Sequence, residues 1–420
     1  MFKRSDLKNK KVKQILALYG SMILGIVLGL VVSVFNTRFL GAEAFGDLKF
    51  VQSVYSFFAI IISFGFVVTA SKLMAEKKND AVRKELIGAS VIITVILGII
   101  FVIAIVIFAF FQKRFFTTDL SAVFLLLSPL FFIVPFTQSL ESILQGENRI
   151  YELSFYRLFP HFIYLAGIIV LYKFDYINLV TAVALQLLSF GISSAIVIYN
   201  LKPKYSNLGT VYRLIFHENK KYGFQVFLGS IIGVASTQLG PIAISYFSVN
   251  NTDVGYYSLA LTITMPLVLI PTVIGTSMFK EFANREVIPK KATQFTVLIS
   301  IFSLIIFLII IKQVIILLYS KEFVNAVNLA YIVAAGQIFH GFGNYYNRFL
   351  GSKGQGAYLR NGAISVGITN IAGFIFLVPF FGANGAAITK LSSGIVFTVS
   401  MLFYYKKYTN NDSKKTIDNN

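Results

Sequence analysis

Polar side chains recur on one face of a strongly apolar segment near residue 340. They are spaced by three or four residues, as positions on one helix face are: Gln337, His340, Asn344, Asn347 and Arg348. A polar group at membrane depth is costly, so it normally faces protein or a water-filled cavity. The stripe therefore predicts one wall of an aqueous cavity. For His340 an interhelical hydrogen bond is an equally good interpretation.

Three further apolar segments carry smaller polar sets. Gln138 and Glu141 share helical spacing in one of them, and Arg157 and His161 lie one turn apart in the next. Gln52 lies near the start of a third segment. The predicted cavity-lining residues, including basic residues near that start, are Arg38, Lys49, Gln52, Gln138, Glu141, Arg157, His161, Gln337, His340, Asn344 and Arg348.

Simpler interpretations stand beside several of these assignments. Glu141 is close enough in sequence to pair with Arg149 or Arg157. Arg348 lies near a segment end, where a long basic side chain can extend to lipid headgroups. An ion-pair set in an outside loop would involve Arg38, Glu43, Asp47 and Lys49. The stripe from Gln337 to Arg348 and the pair Arg157 and His161 fit a cavity better than packing.

The sign of the charges at or within the membrane indicates the chemistry of a ligand. The basic residues there are Arg38, Lys49, Lys72, Arg157, Lys280, Arg348 and Lys390, and the acidic ones are Glu43, Asp47, Glu141 and Glu281. A basic cavity suits an anion such as a phosphate or pyrophosphate, which arginine can bind through paired hydrogen bonds. Cationic drugs would favour carboxylates instead. We therefore expect an anionic or zwitterionic cargo.

The elements that carry these residues are set by composition. Of 420 residues, 56% are hydrophobic and 13% are charged, against about a quarter charged in an average globular chain. The apolar residues form runs of about 20, the length that crosses a hydrocarbon core. The chain has no cysteine and three histidines, which excludes a disulfide framework and a thiolate zinc site and disfavours a histidine metal site. No metal or cofactor is expected.

The apolar runs predict an all-α polytopic membrane protein with twelve transmembrane helices in two six-helix bundles around a central cavity. The predicted spans are 15–35, 49–70, 86–111, 120–144, 153–172, 178–200, 224–247, 254–279, 292–318, 324–349, 361–381 and 384–405. The bundles are expected at 15–200 and 224–405, joined by a cytoplasmic linker at 201–223. A basic amino terminus, 1–14, and a polar tail, 406–420, flank them.

Basic residues give the orientation. The segments on the amino-terminal side of the membrane contain 29 of the 37 Lys and Arg residues. By the positive-inside rule both termini are expected in the cytoplasm. The net charge of +19 is thereby explained by topology, and no nucleic-acid partner is expected. Abundant Lys, Asn and Ile suggest a bacterial source, and hence the bacterial plasma membrane.

Short loops limit the function. The longest predicted outside connection is 36–48, and no phosphate-binding GxxxxGK[ST] loop occurs, so ATP hydrolysis is not expected. A membrane glycosyl polymerase or ligase would need a large outer loop with catalytic groups. The chain is therefore predicted to be a transporter and not an enzyme.

A weak internal repeat supports this interpretation. At an offset of 209 residues, Gly20 and Ser21 align with Gly229 and Ser230, and Ser53 aligns with Thr262. Two halves in one orientation are typical of transporters whose central site opens alternately to each side. Chance coincidence of small residues is the alternative.

Motifs at the helix junctions resemble a known family. The stretch from Asn36 to Gly46, NTRFLGAEAFG, is similar to the junction after the first helix of Wzx-type lipid-linked oligosaccharide flippases. Further matching stretches are Leu144-Gln145-Gly146, Val254-Gly255-Tyr256-Tyr257-Ser258, Leu350-Gly351-Ser352-Lys353-Gly354, Leu359-Arg360-Asn361-Gly362, and Phe381-Gly382-Ala383-Asn384-Gly385-Ala386-Ala387. Together they span about 36–390.

This resemblance implies the multidrug/oligosaccharidyl-lipid/polysaccharide (MOP) exporter fold, with a V-shaped, cationic cavity. It implies movement of an undecaprenyl-pyrophosphate-linked oligosaccharide to the outer leaflet, with membrane lipids and other polysaccharide assembly proteins as partners. Proton or sodium coupling is compatible with the sequence, which does not specify the ion. A drug or metabolite antiporter of the same superfamily is the alternative.

Overall fold

The computed structural model describes residues 10–77 and 79–417, so residues 1–9 of the predicted basic amino terminus and 418–420 of the predicted tail lie outside the described residues. Contacts divide the chain into two compact units, Met1–Ile231 and Ile232–Asn420. No β-strand occurs among the described residues.

The described part of the first unit contains ten α-helices. They are α1 (Lys10–Ile62), α2 (Phe66–Glu76), α3 (Asp80–Phe115), α4 (Ser121–Leu126), α5 (Ser128–Phe131), α6 (Val134–Gly146), α7 (Ile150–Lys173), α8 (Leu179–Leu201), α9 (Leu208–Glu218) and α10 (Phe224–Ser230). A π-helical turn, Asn219–Gly223, joins α9 to α10. Within this unit α1 packs on α7, α7 on α8, and α2 on α6.

The second unit begins inside a π-helical turn, Ile231–Ala235. Its helices are α11 (Ser236–Phe247), α12 (Thr252–Ser277), α13 (Phe279–Asn284), α14 (Lys290–Val314), α15 (Ala326–Ser352), α16 (Gly356–Phe376) and α17 (Val378–Ile417). A π-helical turn, Ile315–Tyr319, extends α14, and a short 3-10 helix, Lys321–Phe323, precedes α15. The helix α15 packs on α12 and α17, and α17 also packs on α16. A hydrophobic core cluster of this unit contains the buried side chains of Phe282, Tyr345, Phe349 and Met401.

Eight of the described helical segments are long and apolar enough to cross a membrane: Gly20–Ile62, Asp80–Phe115, Ile150–Lys173, Leu179–Leu201, Leu208–Phe247, Thr252–Ser277, Lys290–Tyr319 and Val378–Asn410. Gly41 (φ 76°, ψ 178°) breaks the first of them into two spans. The remaining predicted spans lie in α4–α6, α15 and α16, so all twelve fall on helical segments. Apolar side chains such as Leu298, Phe302 and Ile309 on α14 are exposed, as expected of a surface that meets lipid.

The boundaries differ from the sequence prediction at two of the predicted connections. The connection predicted at 36–48 is much shorter than expected, because the chain stays helical on both sides of the single break at Gly41. Most of the predicted linker 201–223 is helical, since α9 begins at Leu208. The predicted span 120–144 contains Pro129 and Pro135 and is divided into α4, α5 and α6, with a proline at the start of both α5 and α6.

A second helix break, within the predicted span 49–70, is not indicated by the sequence. Phe64 (φ 46°) and Gly65 (φ 75°) separate α1 from α2, and a Cβ atom placed on Gly65 would lie 2.2 Å from the carbonyl oxygen of Gly223. The Asn219 side chain connects the two segments: its Oδ1 accepts a hydrogen bond from Thr69 Oγ1 (2.9 Å), and its Nδ2 donates to Phe64 O (3.1 Å). The break is thus closely packed against the π-helical turn.

The turn between α6 and α7 rests on the start of α3. Glu147 Oε1 lies 3.5 Å from Arg83 Nε, and the Glu147 side chain is 6% exposed. Burial raises the pKa of this carboxyl group, while Arg83 and Arg149 oppose the shift. Arg83 also pairs with Asp80 at 2.9 Å.

Candidate functional site

Lys49 is a predicted cavity-lining cation whose ammonium group contacts neutral side chains. It lies on α1 beyond the break at Gly41, and its Nζ donates to Gln52 Oε1 at 2.9 Å. Gln52 Nε2 in turn donates to Gln186 Oε1 on α8 at 2.8 Å. The ammonium also lies 5.3 Å from the centre of the Phe45 ring. These partners are neutral, so they orient the lysine without cancelling its charge.

Arg157 is neutralised within the same unit. Its Nη2 lies 2.9 Å from Glu141 Oε2, which joins α7 to α6, so the ion pair considered from the sequence is present. His161 Nδ1 lies 3.1 Å from the Arg157 carbonyl oxygen, one turn earlier on α7. The positions predicted as one side of a cavity are therefore linked to one another by an ion pair and a backbone contact.

Arg38 and Gln138 occupy more open positions. Both side chains are exposed. Arg38 precedes the Gly41 break, and Gln138 lies on α6, where it borders a small recess beside Ser63 and Pro135. The structure does not join these two residues to the Lys49 chain through a described hydrogen bond.

The residues of the polar stripe on α15 contact different neighbouring helices. The His340 ring stacks against Phe397 of α17 at 4.8 Å between centroids, and Asn344 Nδ2 donates to Thr272 Oγ1 of α12 at 3.2 Å. Arg348 is exposed at the end of the stripe. Gln337 is buried, at 7% exposure. The residues of the stripe therefore contact two helices of the second unit, α12 and α17.

Lys390 was recognised from the sequence as a membrane cation but was not included among the predicted lining residues. It lies on α17 and is half-buried. Its carbonyl oxygen is close to Gly336 of α15, since a Cβ atom on that glycine would be 2.9 Å away. The available signal was a lysine in an apolar span with no carboxylate within a helical turn on either side.

The described residues contain no group of three or more His, Cys, Asp or Glu side chains that could bind a metal ion. The polar side chains described above present amide, hydroxyl and ammonium groups, which suit hydrogen bonding to a polar or anionic cargo.

Comparison with known proteins defines the family. The sequence profile described as "Polysaccharide biosynthesis protein" matches residues 12–279, which is more than half of the chain. The chain belongs to the polysaccharide biosynthesis protein family. No curated protein matches this family member.

Solved structures share the fold of this polysaccharide biosynthesis family member. The inward closed lipid II flippase MurJ has a TM-score of 0.72 at 17% identity, covering 93% of this chain and 88% of MurJ. An inward-facing multidrug resistance MATE transporter of the MOP superfamily has a TM-score of 0.72 at 16% identity, covering 96% and 99%. A MOP superfamily transporter from Pyrococcus furiosus, described as having a binding pocket of reverse polarity, has a TM-score of 0.63 at 14% identity, covering 95% of this chain and 96% of that transporter.

These matches confirm the predicted all-α MOP fold, in which twelve helices form two bundles. With eight described helical segments long and apolar enough to cross a membrane, the family member has the architecture of a multi-pass membrane protein.

Proposed function

We propose that this family member moves an oligosaccharide linked to undecaprenyl pyrophosphate from the cytoplasmic to the outer leaflet of a bacterial plasma membrane. The family description and the fold shared with a lipid II flippase support this proposal. The polar head passes through the protein by alternating access while the polyprenyl tail stays in lipid. This route avoids the large cost of placing sugar hydroxyl groups in hydrocarbon.

The Lys49 chain is the observation that carries the choice of cargo. A lysine held by the neutral amides of Gln52 and Gln186 keeps a net positive charge for an incoming phosphate. Charge-assisted hydrogen bonds of this kind are about twice as strong as neutral ones. The amide groups beside it can also bond to sugar hydroxyls.

Gene deletion and lipid analysis test the proposal. We expect a strain lacking the gene to accumulate lipid-linked oligosaccharide on the cytoplasmic leaflet, to lose the surface polysaccharide, and to recover both with the intact gene. Normal outside exposure of the lipid-linked oligosaccharide, with unchanged surface polysaccharide, would refute the proposal. Proteoliposomes with imposed proton or sodium gradients then identify the driving ion, since binding alone shifts the inward and outward states only by its differential affinity.

A drug or metabolite antiporter is the second candidate, because the fold matches a multidrug MATE transporter as well as it matches MurJ. Against it, Glu141 is paired with Arg157 and so offers a cationic drug no free carboxylate. Unchanged drug susceptibility and drug accumulation in the deletion strain would exclude this candidate, whereas increased accumulation would favour it over the flippase.

A further inference from the structure

A close helix crossing in the second unit brings polar residues together. A Cβ atom on Gly336 of α15 would lie 2.9 Å from Lys390 O and Leu391 N, both on α17. A Cβ atom on Gly394 of α17 would lie 2.3 Å from Gly336 O and 3.3 Å from His340 N. Glycine on both helices therefore brings the backbones into direct contact at the level of Lys390 and His340.

The polar side chains at this crossing lack protein partners. Among the described residues, no ion pair or hydrogen bond involves the Lys390 side chain, although its carbonyl oxygen accepts from Ser393 Oγ. The buried His340 Nδ1 has no hydrogen-bond partner. Gln337, one residue after Gly336, is buried, and its side-chain amide also makes no hydrogen bond within the described part of the chain. Most buried polar groups in proteins do have partners, so this cluster needs an explanation.

Donor chemistry indicates what would satisfy the cluster. A lysine offers three N–H donors and no acceptor, glutamine offers two donors, and a neutral histidine offers one. A cation is disfavoured by the ammonium, and a neutral sugar would leave the charge uncompensated. An oxyanion supplies several acceptor oxygens together with the opposite charge.

We propose that Lys390, Gln337 and His340 form an oxyanion-binding site inside the second unit, which takes a phosphate group. The natural ligand follows from the proposed function, on which this inference rests: it is the pyrophosphate of the lipid-linked cargo. A phospholipid headgroup phosphate has the same chemistry. Binding orders three donor side chains that otherwise remain unpaired in an apolar bundle.

Thermal unfolding of the purified full-length chain in a neutral detergent tests the site with inorganic pyrophosphate as the probe. We expect pyrophosphate to raise the melting temperature of the unchanged protein. Lys390→Met should bind it at least about tenfold more weakly, which corresponds to one lost charge-assisted bond. Lys390→Arg and the control Lys312→Met, at an exposed position on α14, should bind within about threefold of the unchanged protein.

A second readout separates binding from folding. Removing an unpaired buried charge should raise the melting temperature of Lys390→Met without ligand, whereas loss of a merely structural lysine would lower it. His340→Leu, which keeps the lysine, should weaken pyrophosphate binding to a smaller extent. Equal pyrophosphate affinity in Lys390→Met and the unchanged protein, or lower unliganded stability with the pyrophosphate shift retained, would overturn the proposal.

A second probe identifies the source of the phosphate. Stabilisation by pyrophosphate that depends on Lys390 supports the lipid-linked cargo, and the same dependence with dihexanoyl phosphatidylglycerol supports a phospholipid headgroup. No dependence on Lys390 with either probe refutes the site. In a flipping assay, an inactive unchanged protein that still binds pyrophosphate through Lys390 would refute only the proposed function. Full flipping by Lys390→Met would refute only the site.

Discussion

At the residue scale, the structure distinguishes cations that sequence alone treats alike. Arg157 is paired with Glu141, Lys49 is held by amides, and Lys390 has no described partner. The energetic consequences differ accordingly, because a paired charge in the membrane is tolerated while an unpaired one is costly. Residues that keep an uncompensated charge in an apolar bundle are the better candidates for binding an anion.

Replacing Lys49 by methionine should reduce transport about tenfold or more, because the cargo would lose a charge-assisted bond worth about 1.5–3 kcal/mol. Lys49→Arg keeps the charge and the donors and should retain most activity. The control is Lys113→Met, at a side chain that is 76% exposed and pairs with Asp119. Surface polysaccharide in the complemented deletion strain, at matched expression, provides the measurement. Normal polymer levels with Lys49→Met would remove this lysine from the transport path.

Glu147 gives a pH-dependent prediction for the turn between α6 and α7. Burial raises its pKa above the ordinary value of 4.5, so the folded state favours the protonated carboxyl group. Its contribution to stability is present below pH 4.5 and is lost as the pH rises through the raised pKa. Glu147→Gln removes this dependence. The melting temperature of the variant minus that of the unchanged protein should therefore increase with pH over that interval and then level off.

The matched control for this measurement is Glu286→Gln, because the Glu286 side chain is exposed. Its melting-temperature difference should stay constant with pH. A Glu147→Gln difference that falls as the pH rises would mean that the Arg83 contact outweighs the burial of the carboxyl group.

At the element scale, hydrophobic runs predicted where the helices lie but not all of the places where they break. Pro129 and Pro135 indicate where the helix divides into α4, α5 and α6, because proline removes a backbone donor and clashes with the preceding turn. Gly41 falls within the predicted loop 36–48, although a single glycine with positive φ is enough to break the helix there,. The break at Phe64 and Gly65 depends on packing against Gly223, a contact remote in sequence that no local pattern encodes.

The candidate site shows the same limit. Glu141 and Arg157 are 16 residues apart, and their pairing was anticipated. Gln186 was missed, because its hydrogen bond spans 134 residues to Gln52. Helical spacing identifies which face a polar residue shares with its neighbours along the helix. It does not identify the helix that this face will meet.

The break between α1 and α2 provides a test of element packing. Gly65 and Gly354 have similar φ angles, 75° and 70°, but an added Cβ atom would meet Gly223 O at 2.2 Å in the first case and no atom within 4 Å in the second. Gly354→Ala should cost only the left-handed backbone strain of about 1–2 kcal/mol. Gly65→Ala should cost more, because the backbone of the π-helical turn must move. Equal losses of thermal stability would show that the two segments are not tightly packed at this point.

At the scale of the whole molecule, lipid explains both the exposed apolar surface and the asymmetric charge. Leu298, Phe302 and Ile309 would be unfavourable in water but are suitable in hydrocarbon,. The positive-inside rule accounts for the basic residues, most of which lie in the segments predicted to be cytoplasmic. This leaves few cations to be explained by ligand binding, which is why individual lysines carry the functional argument.

The predicted orientation can be tested directly because the chain contains no cysteine, so a single introduced cysteine is labelled without background. Val249, between α11 and α12, is 87% exposed and is expected outside the cell. Lys77, which follows α2, is exposed and is expected in the cytoplasm. A membrane-impermeant maleimide should label Val249→Cys on intact cells and Lys77→Cys only after permeabilisation. The opposite pattern would place the termini outside the cell, and the cargo would then have to enter from the face opposite to the one proposed.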